Sequence, residues 1–264
     1  MIAMPVSPFD LQPLLGPELP ANDLSRPEEL ATELADALRQ GSIVRLQGPH
    51  LTPETHKKWE KVIWALGEPD REGEDASGTK DASIWIDVSY HPDRQNTFRH
   101  SCTAQPLHTD GAYNVAPADI IVFICATNAS SGGATIFVSA ETVAQRAKEK
   151  DARLYDDLFE LPLPYGKAGV RGRSTPVLAQ GPDGLYLNWN YYRVLKEDPR
   201  VRDFAERFHR FLQEDIVAQD LAMPLRLAPG EAVLFKDQRV LHGRTAFAPS
   251  PRFLWKCAVT RRTS

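Results

Sequence analysis

Cysteine is scarce in this 264-residue sequence, which contains only Cys102, Cys125 and Cys257. Their number is odd, they lie far apart, and no two form a CxxC pair. This pattern excludes a disulfide framework and gives no indication of a zinc knuckle. We therefore expect three free thiols in a reducing compartment.

Long apolar runs are also absent. The longest, Ile120–Ala126, has the length of a strand, whereas a membrane-spanning helix needs roughly 20 apolar residues. The segment Met1–Asp10 lacks the cationic start and the apolar core of a secretory signal peptide. We therefore expect no membrane partner and a cytoplasmic location.

The sequence has no excess of positive charge: 31 Lys and Arg residues stand against 35 Asp and Glu residues, so the formal net charge is 31 − 35 = −4. This balance argues against a basic surface for nucleic acid and against a polybasic membrane anchor. Hydrophobic residues make up 42% and charged residues 25%, as in an ordinary globular protein with a sizeable core. We expect no nucleic-acid partner, and the composition leaves the oligomeric state open.

Helix signals occur near the N-terminus. The first helix is predicted from a Ser25 cap, with Pro27 in its first turn, to Gly41, and the second from a Thr52 cap to Gly67. Two further helical stretches are predicted over residues 139–161 and 198–212. Strands are predicted over residues 43–46, 83–88, 119–126, 134–138, 177–179, 185–189, 231–235 and 252–260.

This order of elements contains no βαβ rhythm and no internal repeat. It predicts a β-rich α+β fold, either a β-sandwich or a jelly roll (double-stranded β-helix), flanked by helices. A single domain over residues 1–264 is the simpler interpretation, with an irregular arm at 1–24. The polar, Gly-rich segment 68–82 is predicted to be a mobile loop that could close over a site.

Two His-x-Asp triplets could supply metal ligands, because residues i and i+2 of a strand point to the same side. His91–Pro92–Asp93 lies in a turn-like stretch where proline interrupts strand pairing, and we interpret it as a surface turn. His108–Thr109–Asp110 lies where a strand end opens into a loop, a common position for ligands. The second triplet is therefore the better candidate.

A third ligand is expected from a distant strand, and His242 is the best candidate, although a packed strand-end histidine has the same pattern. Two histidines and one carboxylate with open positions suit ferrous iron that must also bind oxygen. Zinc accepts the same ligands. His209 is predicted to be structural or exposed, and we assign no role to His50, His56 and His100.

Four motifs follow one another along the chain: Pro106–Gly111, Gly132–Thr135, Leu241–Arg244 and Arg252. In this order and spacing they resemble the iron(II)/2-oxoglutarate dioxygenases of the taurine dioxygenase and clavaminate synthase-like superfamily. The likeness covers nearly the whole chain, including Ser25–Gly67 and Asn188–Arg193. It implies a helix-flanked jelly roll that uses iron(II), 2-oxoglutarate and oxygen to oxidise a small molecule, and releases succinate and carbon dioxide.

The resemblance also implies individual roles. His108, Asp110 and His242 match the iron ligands of the family, and Arg252 and Thr135 match the pair that holds the distal carboxylate of 2-oxoglutarate. A planar guanidinium suits this task because it can bind a carboxylate in a bidentate fork. Lys256 stands where an arginine is frequent, so the sub-branch and the substrate stay open.

Substrate contacts are expected among residues that lie near these motifs: Trp85, Tyr113, Asn114, Asn190, Arg193 and Arg244. The aromatic residues could equally be core residues, and the arginines could equally be solvated. By analogy with the family we expect a small polar metabolite of secondary metabolism, with amino-acid character, that is hydroxylated or else desaturated or cyclised. The alternatives are a zinc-dependent hydrolase on the same three ligands and a metabolite-binding jelly roll without catalysis.

Overall fold

A computed structural model of the chain describes residues 14–20, 24–70, 83–167, 170–181 and 183–261. Most of the predicted mobile loop, 71–82, lies outside the described residues, as does most of the arm. Within the described part of the arm, residues 16–18 have no regular secondary structure, whereas Leu19–Pro20 form a short strand parallel to Leu46–Gln47. Backbone pairing thus holds this end of the arm against the sheet.

Five α-helices are present in the described ranges: α1 (Pro27–Gln40), α2 (Pro53–Leu66), α3 (Ala140–Lys150), α4 (Ala152–Glu160) and α5 (Pro199–Phe211). The Thr52 cap of α2 is confirmed, since its side chain accepts a hydrogen bond from the Thr55 amide. The Ser25 cap of α1 is wrong, because the cap residue is Arg26 and no side chain caps the helix. The single predicted helix over 139–161 is divided at Asp151, whose carboxylate accepts from the Leu154 amide and starts α4.

The described residues contain fifteen strands: β1 (Leu19–Pro20), β2 (Ile43–Gln47), β3 (Glu68–Pro69), β4 (Ile86–Ser89), β5 (Gln105–His108), β6 (Ile120–Thr127), β7 (Thr135–Ser139), β8 (Leu163–Lys167), β9 (Val170–Thr175), β10 (Leu178–Gly181), β11 (Gly184–Leu187), β12 (Met223–Leu225), β13 (Ala232–Lys236), β14 (Val240–Arg244) and β15 (Phe253–Thr260). The predicted hairpin is β10–β11, in which Gly184 adopts a φ of +113°. The β8–β9 hairpin was not predicted.

The strands form two main sheets. The major sheet has the order β1-β2-β13-β6-β15-β3, with β4 also paired to β15, and the minor sheet has the order β12-β7-β14-β5. Apart from β1 and β2, neighbouring strands are antiparallel. This topology confirms the predicted jelly roll flanked by helices.

Strand β6 shows how the layers are built. Ile120, Val122 and Ile124 pack with the apolar faces of α1 and α2, whereas Ile121 and Phe123 point toward the minor sheet. The alternation follows from the period of two in an extended chain. The major sheet is therefore covered by the N-terminal helices on one side and by the minor sheet on the other.

The outer face of the minor sheet is covered too. Val138 of β7 and Leu241 of β14 pack in one core with residues of α3, α4 and α5, among them Leu158 and Phe204. The inner faces of both sheets enclose a smaller core that includes Phe137 and Phe235, whose ring centroids are 5.0 Å apart. The polar side chains described next lie on these inner faces.

None of the described helices combines the length and the apolar character needed to span a bilayer. The three cysteines are free, as predicted, and Cys125 and Cys257 are buried.

Candidate metal centre

The two histidines of the predicted ligand set lie opposite each other on neighbouring strands. His108 ends β5, His242 is the central residue of β14, and the antiparallel register pairs them directly. Directly opposed residues of an antiparallel pair have adjacent side chains, and here the ring centroids are 4.2 Å apart. Both histidines are buried.

Asp110 completes this group from the loop after β5. Its Oδ1 lies 3.8 Å from Nε2 of His108, and its Oδ2 lies 3.7 Å from Nε2 of His242. One ligand atom from each of the three residues lies within 4.8 Å of the others. The structure thus brings together the three residues that the sequence singled out.

Hydrogen bonds orient the ring of His108. Its Nδ1 lies 2.9 Å from the carbonyl oxygen of Pro106, which accepts the Nδ1 proton, so Nε2 carries the lone pair. The amide Nε2 of Gln105 donates to that lone pair at 3.1 Å. A carbonyl partner on the far nitrogen is the usual arrangement for a metal-binding histidine.

Two residues near the group were missed by the sequence reasoning. The ammonium of Lys256, on β15, lies 2.5 Å from Oδ2 of Asp110. The carboxylate of Asp237, fully buried between β13 and β14, accepts the Asp110 amide at 3.0 Å and lies 3.8 Å from Nδ1 of His242. That Nδ1 has no hydrogen-bond partner among the described residues.

A signal for Asp237 exists in the sequence. Asp237 follows the apolar strand segment Ala232–Phe235 and Lys236. It begins the short turn Asp237–Arg239, which leads into the strand of His242. A carboxylate in such a turn can reach back to the histidine of the following strand, but its burial depends on the packing of both sheets.

The protonation states suit metal ligation. Burial lowers the pKa of His108, and burial followed by the nearby His108 ring lowers the pKa of His242 well below its usual value. Burial alone would raise the pKa of Asp110, but the positive charge of Lys256 outweighs it and lowers that pKa. Neutral imidazoles and an ionised carboxylate are the forms that bind metal ions.

Arg252 and Arg244 lie side by side near this group. Arg252, which precedes β15, donates to the carbonyl oxygen of Gly133 at 3.3 Å. Arg244, the last residue of β14, donates to the carbonyl oxygens of Ser101 and Thr103 at 2.9 and 2.7 Å. Both guanidiniums stand over the ring of Phe247, at 5.1 Å for Arg244 and 5.5 Å for Arg252.

The two guanidiniums form a buried pair of like charges. Burial lowers the pKa of each to about 10, and for Arg252 the charge of Arg244 acts in the same direction. Neither guanidinium has a carboxylate partner among the described residues. Thr135, also buried, is paired with Arg244 across β7 and β14. Gly133 adopts a φ of +70°, and a Cβ there would lie 3.2 Å from Nε of Arg252, so glycine permits this close approach.

Most of the predicted substrate residues line one pocket. It has a volume of about 180 Å³ and is bordered by Tyr113, Asn114, Asn190, Arg193, Asp110 and Lys256, among others. The guanidinium of Arg193 stands 5.5 Å from the centre of the Tyr113 ring. Arg244 does not line this pocket. Its guanidinium, which donates to the carbonyl oxygen of Ser101, lies beside Arg252 instead.

Trp85, also predicted as a substrate contact, does not line this pocket. It is buried in the core on the helix side of the major sheet, and its ring centroid lies 4.9 Å from that of His56. Its indole N–H donates to the Glu60 carboxylate of α2 at 3.2 Å. Its position in β-rich sequence did not distinguish the helix side of the sheet from the site side.

The remaining histidines divide into three kinds. His209 stacks on Tyr191 at 4.2 Å, which confirms a structural role, and His50 is exposed. The predicted surface turn at His91–Asp93 is present, since Pro92–Arg94 form one short turn of 3-10 helix and Asp93 is exposed. His91 also lies with Asp87 and His100 in a second group of possible ligands.

Comparison with known protein families identifies the family of this chain. The model of the family described as "Taurine catabolism dioxygenase TauD, TfdA family" matches residues 8–258. The chain belongs to this family. Membership confirms the resemblance to this family of dioxygenases.

The individual relatives have low sequence identity to this chain. The mitochondrial trimethyllysine dioxygenase of Rattus norvegicus is 28% identical over 167 residues, which are 58% of this chain and 39% of the relative. The uridine-5'-phosphate dioxygenase of a Streptomyces species is 24% identical over 165 residues, 58% of this chain and 59% of the relative. The chain thus spans between 39% and 59% of the length of these relatives.

Solved structures share the fold. An asparagine oxygenase in complex with Fe(II), 3-hydroxyasparagine and succinate superposes with a TM-score of 0.67 at 19% identity, covering 88% of this chain and 79% of that one. A taurine dioxygenase from Burkholderia xenovorans gives a TM-score of 0.65 at 17% identity, covering 96% and 90%. At sequence identities of 19% and 17%, this structural similarity supports the fold alone.

Proposed function

We propose that this protein hydroxylates a small, polar metabolite with amino-acid character in a reaction that requires iron(II), 2-oxoglutarate and oxygen. The observation that carries the proposal is one juxtaposition. The ligand atoms of His108, Asp110 and His242 lie within 4.8 Å of one another, and a buried guanidinium pair lies beside them, two residues along β14.

The three residues fit a metal ion. Two positively polarised groups already lie at the atoms that an ion would bind: the Gln105 amide donates to Nε2 of His108, and the Lys256 ammonium lies 2.5 Å from Oδ2 of Asp110. Ligand atoms that already contact positively polarised groups also favour a bound cation. His108, Asp110 and His242 would hold iron, and Gln105 and Lys256 would turn toward its other ligands.

Arg252 would bind the distal carboxylate of 2-oxoglutarate in a fork, with the hydroxyl of Thr135 as a further donor. The carbonyl contacts of Arg244 hold that guanidinium in place, so that it raises the positive potential around the same carboxylate. A dianionic co-substrate would relieve the repulsion between the two buried cations, which explains why the fold tolerates them.

When bound, the metal, 2-oxoglutarate and oxygen would together supply an oxidant able to attack an unactivated C–H bond; 2-oxoglutarate would leave as succinate and carbon dioxide, with one oxygen atom in succinate and the other in the product. The protein contributes position and exclusion of water. Phe235 lies 4.8 Å from the ring of His242 and closes the apolar side of the site, whereas the pocket with Lys256 leaves the opposite side open to substrate.

The pocket supports a small polar substrate. Its volume of about 180 Å³ favours a small molecule. Lys256 and Arg193 supply positive charge, and Asn114 and Asn190 supply amide donors and acceptors. The names of two relatives, a trimethyllysine dioxygenase and a uridine-5'-phosphate dioxygenase, likewise point to charged, polar substrates.

The test begins without oxygen. Protein loaded with Fe(II) and 2-oxoglutarate is expected to show the weak visible charge-transfer band of the chelate, and admission of oxygen is expected to yield succinate. His242→Ala should lose both signals, whereas His50→Ala, a change at an exposed histidine, should keep them.

A mass-spectrometric screen of metabolites for an added oxygen atom, or for a lost pair of hydrogens, then identifies the substrate. Fully metallated wild-type protein that gives neither the band nor succinate would refute the proposal. Oxygen-independent hydrolysis with zinc would favour the hydrolase instead, and metabolite binding that needs no metal would favour the non-catalytic jelly roll.

A further inference from the structure

A second group of possible ligands lies outside the candidate centre and shares no residue with it. Asp87 lies on β4, His91 follows two residues after the end of that strand, and His100 comes from the next turn. The backbone holds the two histidines together, because the His91 amide donates to the His100 carbonyl oxygen at 3.0 Å. One ligand atom of each residue lies within 4.8 Å of the others.

His100 is oriented in the same way as His108. It is buried, and its Nδ1 lies 3.0 Å from the carbonyl oxygen of Ser89, which accepts the Nδ1 proton and leaves the lone pair on Nε2. Two donors to this group are already in place. The Arg99 Nε donates to that Nε2 at 3.2 Å, and the Ser89 hydroxyl lies 2.9 Å from Nε2 of His91.

The other two ligands face solvent and give an ion access. The side chains of His91 and Asp87 are 41% and 45% exposed, and their Nε2 and Oδ2 atoms are 3.8 Å apart. Small movements of two partly exposed side chains would therefore close the ligand set around an ion. The charge of Arg99 opposes such an ion, so its guanidinium would have to turn away to solvent.

We propose that Asp87, His91 and His100 bind a second divalent transition-metal ion, most suitably zinc, with water in the remaining position. Two imidazoles and one carboxylate form a donor set that zinc accepts readily in tetrahedral geometry. The ion would tie the end of β4 to the turn that contains His100. The residues that follow, Ser101 and Thr103, hold Arg244 through their carbonyl oxygens, so the ion would brace the wall behind the guanidinium pair.

The experiment counts zinc ions per chain by calorimetric titration and metal analysis. Wild-type protein is expected to bind two. His91→Ala and Asp87→Asn should each bind one tightly, with affinity at the second site reduced by more than about 100-fold, since even the loss of an outer partner of a metal ligand costs 10–100-fold. His50→Ala is the matched control and should still bind two.

Two further variants separate this site from the candidate centre. His242→Ala should retain the second zinc, and the thermal stabilisation that this zinc gives should disappear in the double variant His91→Ala/His242→Ala. Arg99→Met should tighten the second zinc by about tenfold or more, because it removes a competing cation.

These outcomes decide the proposal whether or not the dioxygenase activity is found. A zinc count that neither His91→Ala nor Asp87→Asn lowers would overturn it, whatever the count in the wild type. A weaker second site in Arg99→Met would contradict the assignment of His100 Nε2 as a ligand. Both single-site variants change partly exposed side chains, so loss of the fold does not confuse the result.

Discussion

Arg252→Gln is the substitution with the most specific expected effect, because Arg252 is buried and its guanidinium makes a single hydrogen bond within the described residues, to Gly133. If its guanidinium pairs with the distal carboxylate of 2-oxoglutarate, the substitution removes one partner of a buried ion pair. Such a loss costs about 3–5 kcal/mol, and glutamine recovers about 1 kcal/mol through a neutral hydrogen bond. The remaining 2–4 kcal/mol corresponds to a Kd for 2-oxoglutarate raised roughly 30- to 1,000-fold.

The assay is an anaerobic titration of the Fe(II)-loaded protein with 2-oxoglutarate, followed by the visible charge-transfer band. Arg252→Lys keeps the charge and loses the fork, so its Kd should lie between those of the wild type and Arg252→Gln. Arg26→Gln is the control, because Arg26 is exposed at the start of α1 and pairs only with the neighbouring Glu29 among the described residues. The KM for 2-oxoglutarate, measured from succinate, should follow the same order.

A Kd for Arg252→Gln within about threefold of the wild type, at equal iron content, would refute the pairing. The stability of the unliganded protein gives an independent check. Since Arg252 lies in a buried pair of like charges, Arg252→Met should leave the free energy of unfolding equal or higher, as replacement of buried charges by apolar groups often does. A loss of several kcal/mol without ligand would show that Arg252 has a purely structural partner.

Three other predictions concern the metal group, the pocket and the core. Asp237→Ala removes the acceptor of the Asp110 amide, so the Kd for iron should rise about 10–100-fold while the KM for 2-oxoglutarate at saturating iron is unchanged; an unaltered iron affinity would exclude a positioning role. With the substrate identified, Arg193→Gln should raise its KM by about tenfold or more, whereas Trp85→Phe should not change it, and the reverse result would contradict the placement of the pocket. Phe137→Ala should lower the free energy of unfolding in urea by about 3–5 kcal/mol, because the ring is fully buried between the sheets; a loss below 1 kcal/mol would contradict that packing.

Local patterns predicted the parts of the fold that local interactions determine. The Thr52 cap, the turn at Asp183–Gly184 and the strand at β6 each depend on neighbours within a few residues, and the structure contains all three. The cap at Ser25 was wrong for a related reason. Serine can cap a helix, but the chain enters α1 with Arg26 at the cap position, and sequence alone does not specify that entry.

The second ligand group depends on contacts that no local pattern specifies. Asp87, His91 and His100 do not have the spacing of ligands on one strand or one helix. They meet because β4 pairs with β15 and because the chain then turns back through the short helix Pro92–Arg94. The His91–Pro92–Asp93 triplet, which we interpreted as a surface turn, shares only His91 with this group, because Asp93 is exposed and lies outside it.

The positions of the side chains in the candidate centre follow from the two-residue period of side-chain direction along β14 and β15. Along β14, Val240 packs in the inner core, His242 supplies a ligand two residues later and Arg244 joins the guanidinium pair after two more. Along β15, Lys256 shares the inner face and follows Arg252 by four residues. Once His242 and Arg252 were assigned to the site, the same alternation would have placed Arg244 beside the co-substrate rather than in the substrate pocket, and would have added Lys256. Each of these positions holds a polar side chain on an inner face that otherwise carries apolar residues. The inner core is therefore smaller where the site lies. The two outer cores, against α1 and α2 and against α3 to α5, supply the burial that makes this replacement possible.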